Sequence, residues 1–216
     1  YELARTLKTR VAVRLVKGAY WDMEIKQAQT LGVPAFPVFT RRASTDVSYL
    51  AGTRFLLEHA DYIYPQFASH NAHTVVAVDA IARQIKLSPT VRYEFQRLHG
   101  MGESLHREVI AGSGRICRVY APVGEHEDLL AYLVRRMLEN GANSSFVNQL
   151  MDKSIAPADL VADPVTKVLK QPAIPNTRIP LPKDLFLPSR PNSVGWDVND
   201  AADAAKLDSL IQPFMS

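Results

Sequence analysis

The chain has 216 residues and a mass of 24.0 kDa, with 47% hydrophobic and 22% charged residues, the composition of a core-forming globular protein. No apolar run approaches the roughly 18 to 20 residues of a membrane-spanning helix, and no charged-then-apolar leader with a small-residue cleavage site is present, so membrane-spanning and secreted classes are not expected. The net charge of +3, from 25 basic against 22 acidic residues spread along the chain, does not argue for a nucleic-acid partner. Cys117, the single cysteine, excludes an internal disulfide and a multi-cysteine zinc site, fits a reducing cytoplasm, and reads as a small buried hydrophobe.

Tyr1 to Lys8 reads as the last turns of a helix running into a strand, without an initiator methionine, so the chain is expected to be a piece of something longer. Short β-rich runs then alternate with stretches of helical apolar spacing, the pattern of strand–helix units around a parallel sheet. The first strand is expected over Val11–Tyr20, followed by a connection through Pro34, Pro37 and Thr40 to a helix near Val47–His59. A connection of that length suggests a functional loop. The second unit has a strand at Tyr62–Phe67, a polar end at Ser69-His70-Asn71, and a helix with Val75, Val76, Val78, Ile81, Ala82 and Ile85 roughly on one face. The third runs from a strand at Val91–Leu98 through His99-Gly-Met-Gly102 to a helix around Ser104–Ala111. The fourth has a strand at Ile116–Gly124 and a helix over His126–Asn140, whose Leu129, Leu130, Leu133, Val134, Met137 and Leu138 form an apolar stripe.

Beyond about residue 156 the composition changes, because eight of the fourteen prolines lie between Pro157 and Pro191. Helix and central strand are both disfavoured there, which suggests a linker or extended arm, with a short helix in Ala201–Phe214. Four units of roughly 35 to 40 residues are half of an eight-unit barrel of about 250. A doubly wound sheet would advertise a glycine-rich phosphate loop after its first strand, and none occurs, so the expected class is α/β, the later half of a (βα)8 TIM-like barrel.

In such a barrel the carboxyl ends of the strands build the site. Here they are polar: Lys17 to Asp22, Ser69 to Asn71, Gln96 to His99, and Tyr120. Arg14 and Lys17, three apart, point to opposite faces of their strand. Arg135-Arg136 on an amphipathic helix can fork onto a carboxylate or phosphate, or can simply lie on a solvated face paired with Glu139. Thr40-Arg-Arg-Ala-Ser-Thr45 reads as a basic loop that either cradles a pyrophosphate or serves solubility. His70, His73 and His99 lack the tight spacing of a metal cluster, and no metal is expected. Ser69 and His70 lack a nucleophile elbow for hydrolase work. Trp21 and Phe146 either stack on an aromatic ligand or fill the core, and apolarity alone favours the core.

Taken together, Arg14-Leu-Val-Lys-Gly-Ala-Tyr-Trp-Asp22, Tyr64-Pro-Gln-Phe-Ala-Ser-His-Asn71, Tyr93-Glu-Phe-Gln-Arg-Leu-His-Gly-Met101, Arg118-Val-Tyr-Ala-Pro-Val-Gly124 and Tyr132 through Phe146 resemble the proline dehydrogenase family. The resemblance covers roughly residues 5 to 165. Residues 1–165 are thus expected to be the later half of the FAD-binding barrel. Residues 166–216, a proline-rich linker, resemble the join to an aldehyde dehydrogenase domain in bifunctional members. The family implies FAD, held noncovalently, and oxidation of L-proline to 1-pyrroline-5-carboxylate by hydride transfer to flavin N5. NAD belongs only to the aldehyde dehydrogenase half, outside this sequence, which oxidises glutamate semialdehyde to glutamate.

On that resemblance Arg135 and Arg136 match the pair that clamps the proline carboxylate, Tyr120 packs over the substrate ring, and Arg14 is the catalytic cation beside flavin N5. Val16, Lys17, Gly18, Ala19, Tyr20 and Trp21 match the flavin-binding run, and Thr40, Arg41, Arg42 and Thr45 the loop near the nucleotide. His70, Asn71, Gln96, Leu98, Glu139 and Phe146 match further cofactor contacts. The family's earlier strands, with a substrate lysine and aspartate, are absent, so the 216 residues alone are not expected to turn over. The implied partners are L-proline and carboxylate analogues, a membrane quinone, the rest of the polypeptide and a second copy in a homo-oligomer. The implied location is cytoplasmic, touching the inner membrane peripherally during turnover. Two other readings stay open: a barrel lyase or aldolase using Lys17 as a Schiff-base lysine, and a non-catalytic interaction fragment.

Overall fold

A computed structural model describes residues 1–88, 90–141, 162–196 and 198–215, together with 152, 154, 156 and 159; of 139–141 it describes the backbone. In chain order the elements are α1 (Glu2–Thr6), β1 (Val11–Val16), α2 (Trp21–Leu31), α3 (Arg42–Glu58), β2 (Ile63–Ala68), α4 (Ala72–Gln84), β3 (Glu94–Leu98), α5 (Glu103–Ser113), β4 (Ile116–Tyr120), α6 (His126–Gly141), α7 (Pro164–Leu169) and α8 (Ala201–Ile211). They fall into two units, one of residues 1–19 and 43–171, the other of 20–42 and 172–216.

The first unit is built on a four-stranded sheet in the order β1-β2-β3-β4, every neighbouring pair parallel. Strands that follow one another in space as they do in sequence, without a reversal of order, belong to a barrel wall and not to a doubly wound sheet, which turns back at a switch point. One face of the sheet is apolar because Val13, Leu15, Ile63, Phe67, Phe95 and Cys117 occupy alternate positions. Against it pack Tyr49, Leu56 and Leu57 of α3 and Val75, Val78 and Ala82 of α4. Burial of these side chains is the main stabilising term, each large one contributing roughly 1.5 to 3 kcal/mol. The register Arg14–Gln66–Glu94–Ile116 and Val16–Ala68–Gln96–Arg118 then sends the other parity to the opposite, inner face.

The second unit holds the proline-rich arm. Its residues 172–196 run along α2 and the turn after it: Asn192 donates to the Gln29 carbonyl at 2.7 Å and the Gly195 N–H to the Leu31 carbonyl at 2.7 Å. Asn176 N–H reaches the Thr40 hydroxyl at 2.8 Å.

Four expectations need correction. The connection after β1 is not irregular: it contains α2, whose Ile25 and Ala28 are buried three positions apart. The basic segment is a loop only as far as Arg41, because α3 starts at Arg42 and carries Thr45; Tyr49, Thr53, Leu56 and Leu57 continue the buried face begun at Ser44. Trp21 is not core, being 41% exposed with its indole N–H on the Phe39 carbonyl at 2.8 Å. Helix also occurs inside the proline-rich region, since Pro164 is the first residue of α7, where a missing N–H goes unnoticed, and Asp163 caps it.

Candidate functional site

The inner face of the sheet is polar where a barrel wall usually carries branched apolar residues. Tyr64 and Gln66 of β2, Glu94 and Gln96 of β3, and Arg118 of β4 share one side because they share one parity. Glu94 is fully buried and is the centre of this group. Arg118 forks onto it, Nε to Oε1 at 2.9 Å and Nη2 to Oε2 at 2.9 Å. The Tyr64 hydroxyl donates to Oε2 at 2.8 Å, and the amides of Gln96 and Gln66 donate to Oε1 at 2.8 and 3.2 Å. The Arg118 hydrogen bonds above all, with those of Gln96 and Tyr64, outweigh burial and hold the Glu94 carboxyl down at about 2. A charge removed from water is tolerated here because its acceptor sites are met.

Arg14 lies on the same face, exposed, with its guanidinium 4.5 Å from the centre of the Tyr120 ring. Lys17, three residues on, points the other way, as the strand geometry requires. Its ammonium donates to Asp46 of α3 at 2.5 Å and to the Thr74 hydroxyl of α4 at 2.8 Å. An ion pair stabilises the ammonium, whereas Schiff-base chemistry needs the neutral amine, so this arrangement disfavours the lyase reading.

At the carboxyl end of β2, Asn71 caps α4 by accepting from the Thr74 N–H at 3.0 Å, which fixes the strand-to-helix turn. His70 Nε2 accepts from the Leu98 N–H at 3.1 Å, so in the neutral ring the proton sits on Nδ1. Burial, then the nearby His106, Arg136 and Arg97, lowers His70 to about 4. His106 of α5, also buried, donates from Nε2 to the Ser69 carbonyl at 2.9 Å, and burial lowers its pKa too. Gly102, in the left-handed region at φ +64°, admits both rings: a Cβ there would stand 3.2 Å from His70 Cδ2 and 3.4 Å from His106 Cδ2.

The remaining candidates are distributed as follows. Leu98 is buried and Val16 exposed at the ends of their strands. Gly18 and Ala19 follow β1, and a Cβ added at Gly18 would meet nothing within 4 Å. Arg135 and Arg136 are half-buried on α6, with the Arg136 guanidinium 5.2 Å from the Tyr132 ring. Tyr20, Trp21, Thr40, Arg41 and Arg42 belong to the second unit, where the Arg41 guanidinium donates to the Pro175 carbonyl at 3.2 Å. Thr45 is half-buried on α3. The Glu139 side chain and Phe146 lie outside the described residues. Among the described residues no group of three or more metal-ligating side chains gathers, and no helix is long and apolar enough to cross a membrane.

Sequence reasoning missed Glu94, Tyr64, Gln66 and Arg118 as a group, and Asp46, Thr74 and His106 as supports. The signal was present in the pairs Tyr64/Gln66, Glu94/Gln96 and Arg118/Tyr120, which put two polar residues two positions apart on the same face of each of three strands.

The family model for proline dehydrogenase matches residues 1–149. The bifunctional protein PutA of Escherichia coli is 51% identical over 221 aligned residues, which take in 97% of this chain and 17% of that protein. Mitochondrial proline dehydrogenase 1 of Dictyostelium discoideum is 30% identical over 162 residues, 72% of this chain and 27% of that one. Among solved structures, a mutant of Bradyrhizobium japonicum proline utilization A superposes with a TM-score of 0.85 at 48% identity, over 97% of this chain and 21% of that chain. The chain therefore spans about a sixth of the PutA relative's length. A sequential parallel wall, a polar inner face and a match running through all four strand–helix units agree, and the chain belongs to the proline dehydrogenase family.

Proposed function

We propose that this chain supplies the later half of an FAD-holding barrel, in a longer protein that oxidises L-proline to 1-pyrroline-5-carboxylate. The observation that carries the reading is the polar inner face, in a chain whose match to the proline dehydrogenase family runs from Tyr1 to residue 149. The residues present suit a flavin. Gln96 turns its carbonyl oxygen away from Glu94, His70 carries a ring N–H on Nδ1, and Arg14 offers a cation on the same sheet face as Gln96. Gly18 leaves open space beside the backbone, as a ligand approaching closely requires.

When bound, the flavin supplies the acceptor for the hydride leaving the proline ring carbon. The protein's part is positioning and electrostatics. Arg135 and Arg136 hold the substrate carboxylate by charge-assisted hydrogen bonds, and Tyr120 packs over the pyrrolidine ring. Arg14 favours electron density on the cofactor ring, since a fixed positive charge stabilises negative charge that develops beside it. Val16 through Trp21, Thr40, Arg41, Arg42, Thr45, Asn71, Leu98, Glu139 and Phe146 complete the assignment as cofactor contacts. In the whole protein, an NAD-dependent domain beyond this chain completes oxidation to glutamate. Electrons pass to a membrane quinone, which places the protein in the cytoplasm with peripheral contact to the inner membrane, in a homo-oligomer.

The test is an absorbance spectrum of the intact protein before and after anaerobic addition of L-proline. Flavin bands that bleach support the reading, bands that persist leave a flavoprotein for another substrate, and a colourless folded protein overturns it. Arg135→Met or Arg136→Met should then weaken proline by roughly 1.5 to 3 kcal/mol while FAD stays bound. Normal proline affinity in both variants removes the clamp assignment.

A further inference from the structure

Glu94 has no role in the function proposed above, yet it is the most heavily hydrogen-bonded side chain of the sheet. It accepts from Tyr64, Gln66, Gln96 and twice from Arg118, and it is fully buried. An ionised carboxylate can only accept, so both glutamine amides must turn their NH2 groups towards it. A glutamine amide is otherwise free to exchange its two ends, which have the same shape and opposite hydrogen-bonding character.

For Gln96 the consequence is specific. Its Nε2 is committed to Glu94 at 2.8 Å, so its Oε1 faces away from the carboxylate. That oxygen accepts nothing from the described residues, and it is not sealed from solvent. Gln96 is only 6% exposed and its backbone is locked between β2 and β4, so the whole group has little freedom to turn. An apolar residue in place of Glu94 would let the same amide present its NH2 outward.

We propose that Glu94 is a positioning residue that holds Gln96 as a hydrogen-bond acceptor for a ring N–H of the cofactor. The inference rests on the flavin reading above: the oxidised isoalloxazine has a single ring N–H, at N3, and an acceptor is what recognises it. Glu94 itself does not touch the cofactor; it decides which end of Gln96 does. Arg118 and Tyr64 keep the carboxylate charged and in place.

The test uses the intact protein stripped of flavin and titrated by fluorescence with FAD and with its N3-methyl analogue, which cannot donate at N3. The unchanged protein should prefer FAD by about tenfold or more, the worth of one well-placed hydrogen bond. Gln96→Leu should collapse that preference, and so should Glu94→Met with Arg118→Met, which removes the carboxylate without stranding its partner charge. Should circular dichroism show the double variant unfolded, Glu94→Leu replaces it with the same expectation, because no acceptor for the Gln96 amide then remains at position 94 while the largely exposed Arg118 guanidinium can turn to water. A preference that survives in the folded position-94 variant, or that is absent from the unchanged protein although FAD binds, overturns the inference. Failure of the unchanged protein to bind FAD overturns the flavin reading instead.

Discussion

Arg14 and Lys17 are three residues apart on one strand and have opposite surroundings. Arg14 stays exposed on the polar face beside Tyr120, while Lys17 ties β1 to α3 and α4 through Asp46 and Thr74. The histidines divide in a comparable way, since His70 accepts a backbone N–H with Nε2 and His106 donates with the same atom. Both are held neutral, with pKa values lowered below 6.5. The unfolded chain therefore takes up protons first, and stability falls as pH drops from 6.5 towards about 4. Replacing His106 with asparagine, which keeps a donor but cannot titrate, should flatten part of that slope in urea titrations followed across pH. Glu94 adds a second acid window. With its pKa depressed from 4.5 to about 2, the stability it contributes is present above 4.5 and lost as pH falls through that interval. Glu94→Gln should remove this lower slope; an unchanged profile would mean the carboxylate is not linked to folding.

Elements in this chain are defined as much by their ends as by their apolar faces. Asn71, Asp163 and Asp200 each cap a helix by accepting N–H groups of its first turn. Asp200→Ala should destabilise α8 by about 1 kcal/mol, seen as faster amide exchange confined to that helix. Gly32 closes α2 at φ +63°, and an added Cβ would overlap the Ser193 carbonyl of the arm. Gly32→Ala should thus release residues 172–196 to proteolysis while leaving the four-stranded sheet protected; an arm that stays resistant would show the close approach is not needed. These same contacts explain why the proline-rich stretch is ordered. Proline forbids a ladder of its own, but Asn176, Asn192 and Gly195 hydrogen-bond to the loop and helix beside them. Such pairings join residues more than a hundred positions apart, and no local pattern encodes them.

For the molecule as a whole, the outer edges of β1 and β4 are open among the described residues, and β-edges seek partners. The apolar stripe of α6 is also exposed, with Met137 at 73% and Leu138 at 62%. Expressed by itself, the 216-residue chain should migrate above 24.0 kDa in light scattering, through edge pairing or stripe burial. A clean monomer would show that edges and stripe are compatible with water.

Period-two and period-3.6 patterns were enough to locate the four strands, the helices α3 to α6 and the parallel class, because those periods are fixed by backbone geometry; α2, inside the connection after β1, was not among them. The family motifs, read along the chain, were enough to nominate Arg14, Tyr120, Gln96 and the arginine pair. What the sequence could not decide was which polar side chains meet. Glu94 and Arg118 are 24 positions apart and Tyr64 a further 30 before Glu94. Only the parallel register brings them to one carboxylate, and only that carboxylate chooses the end of Gln96 that faces outward. Local periodicity sets which side of a strand a residue occupies; the partner it finds there depends on how strands are aligned, which is a property of the packed sheet.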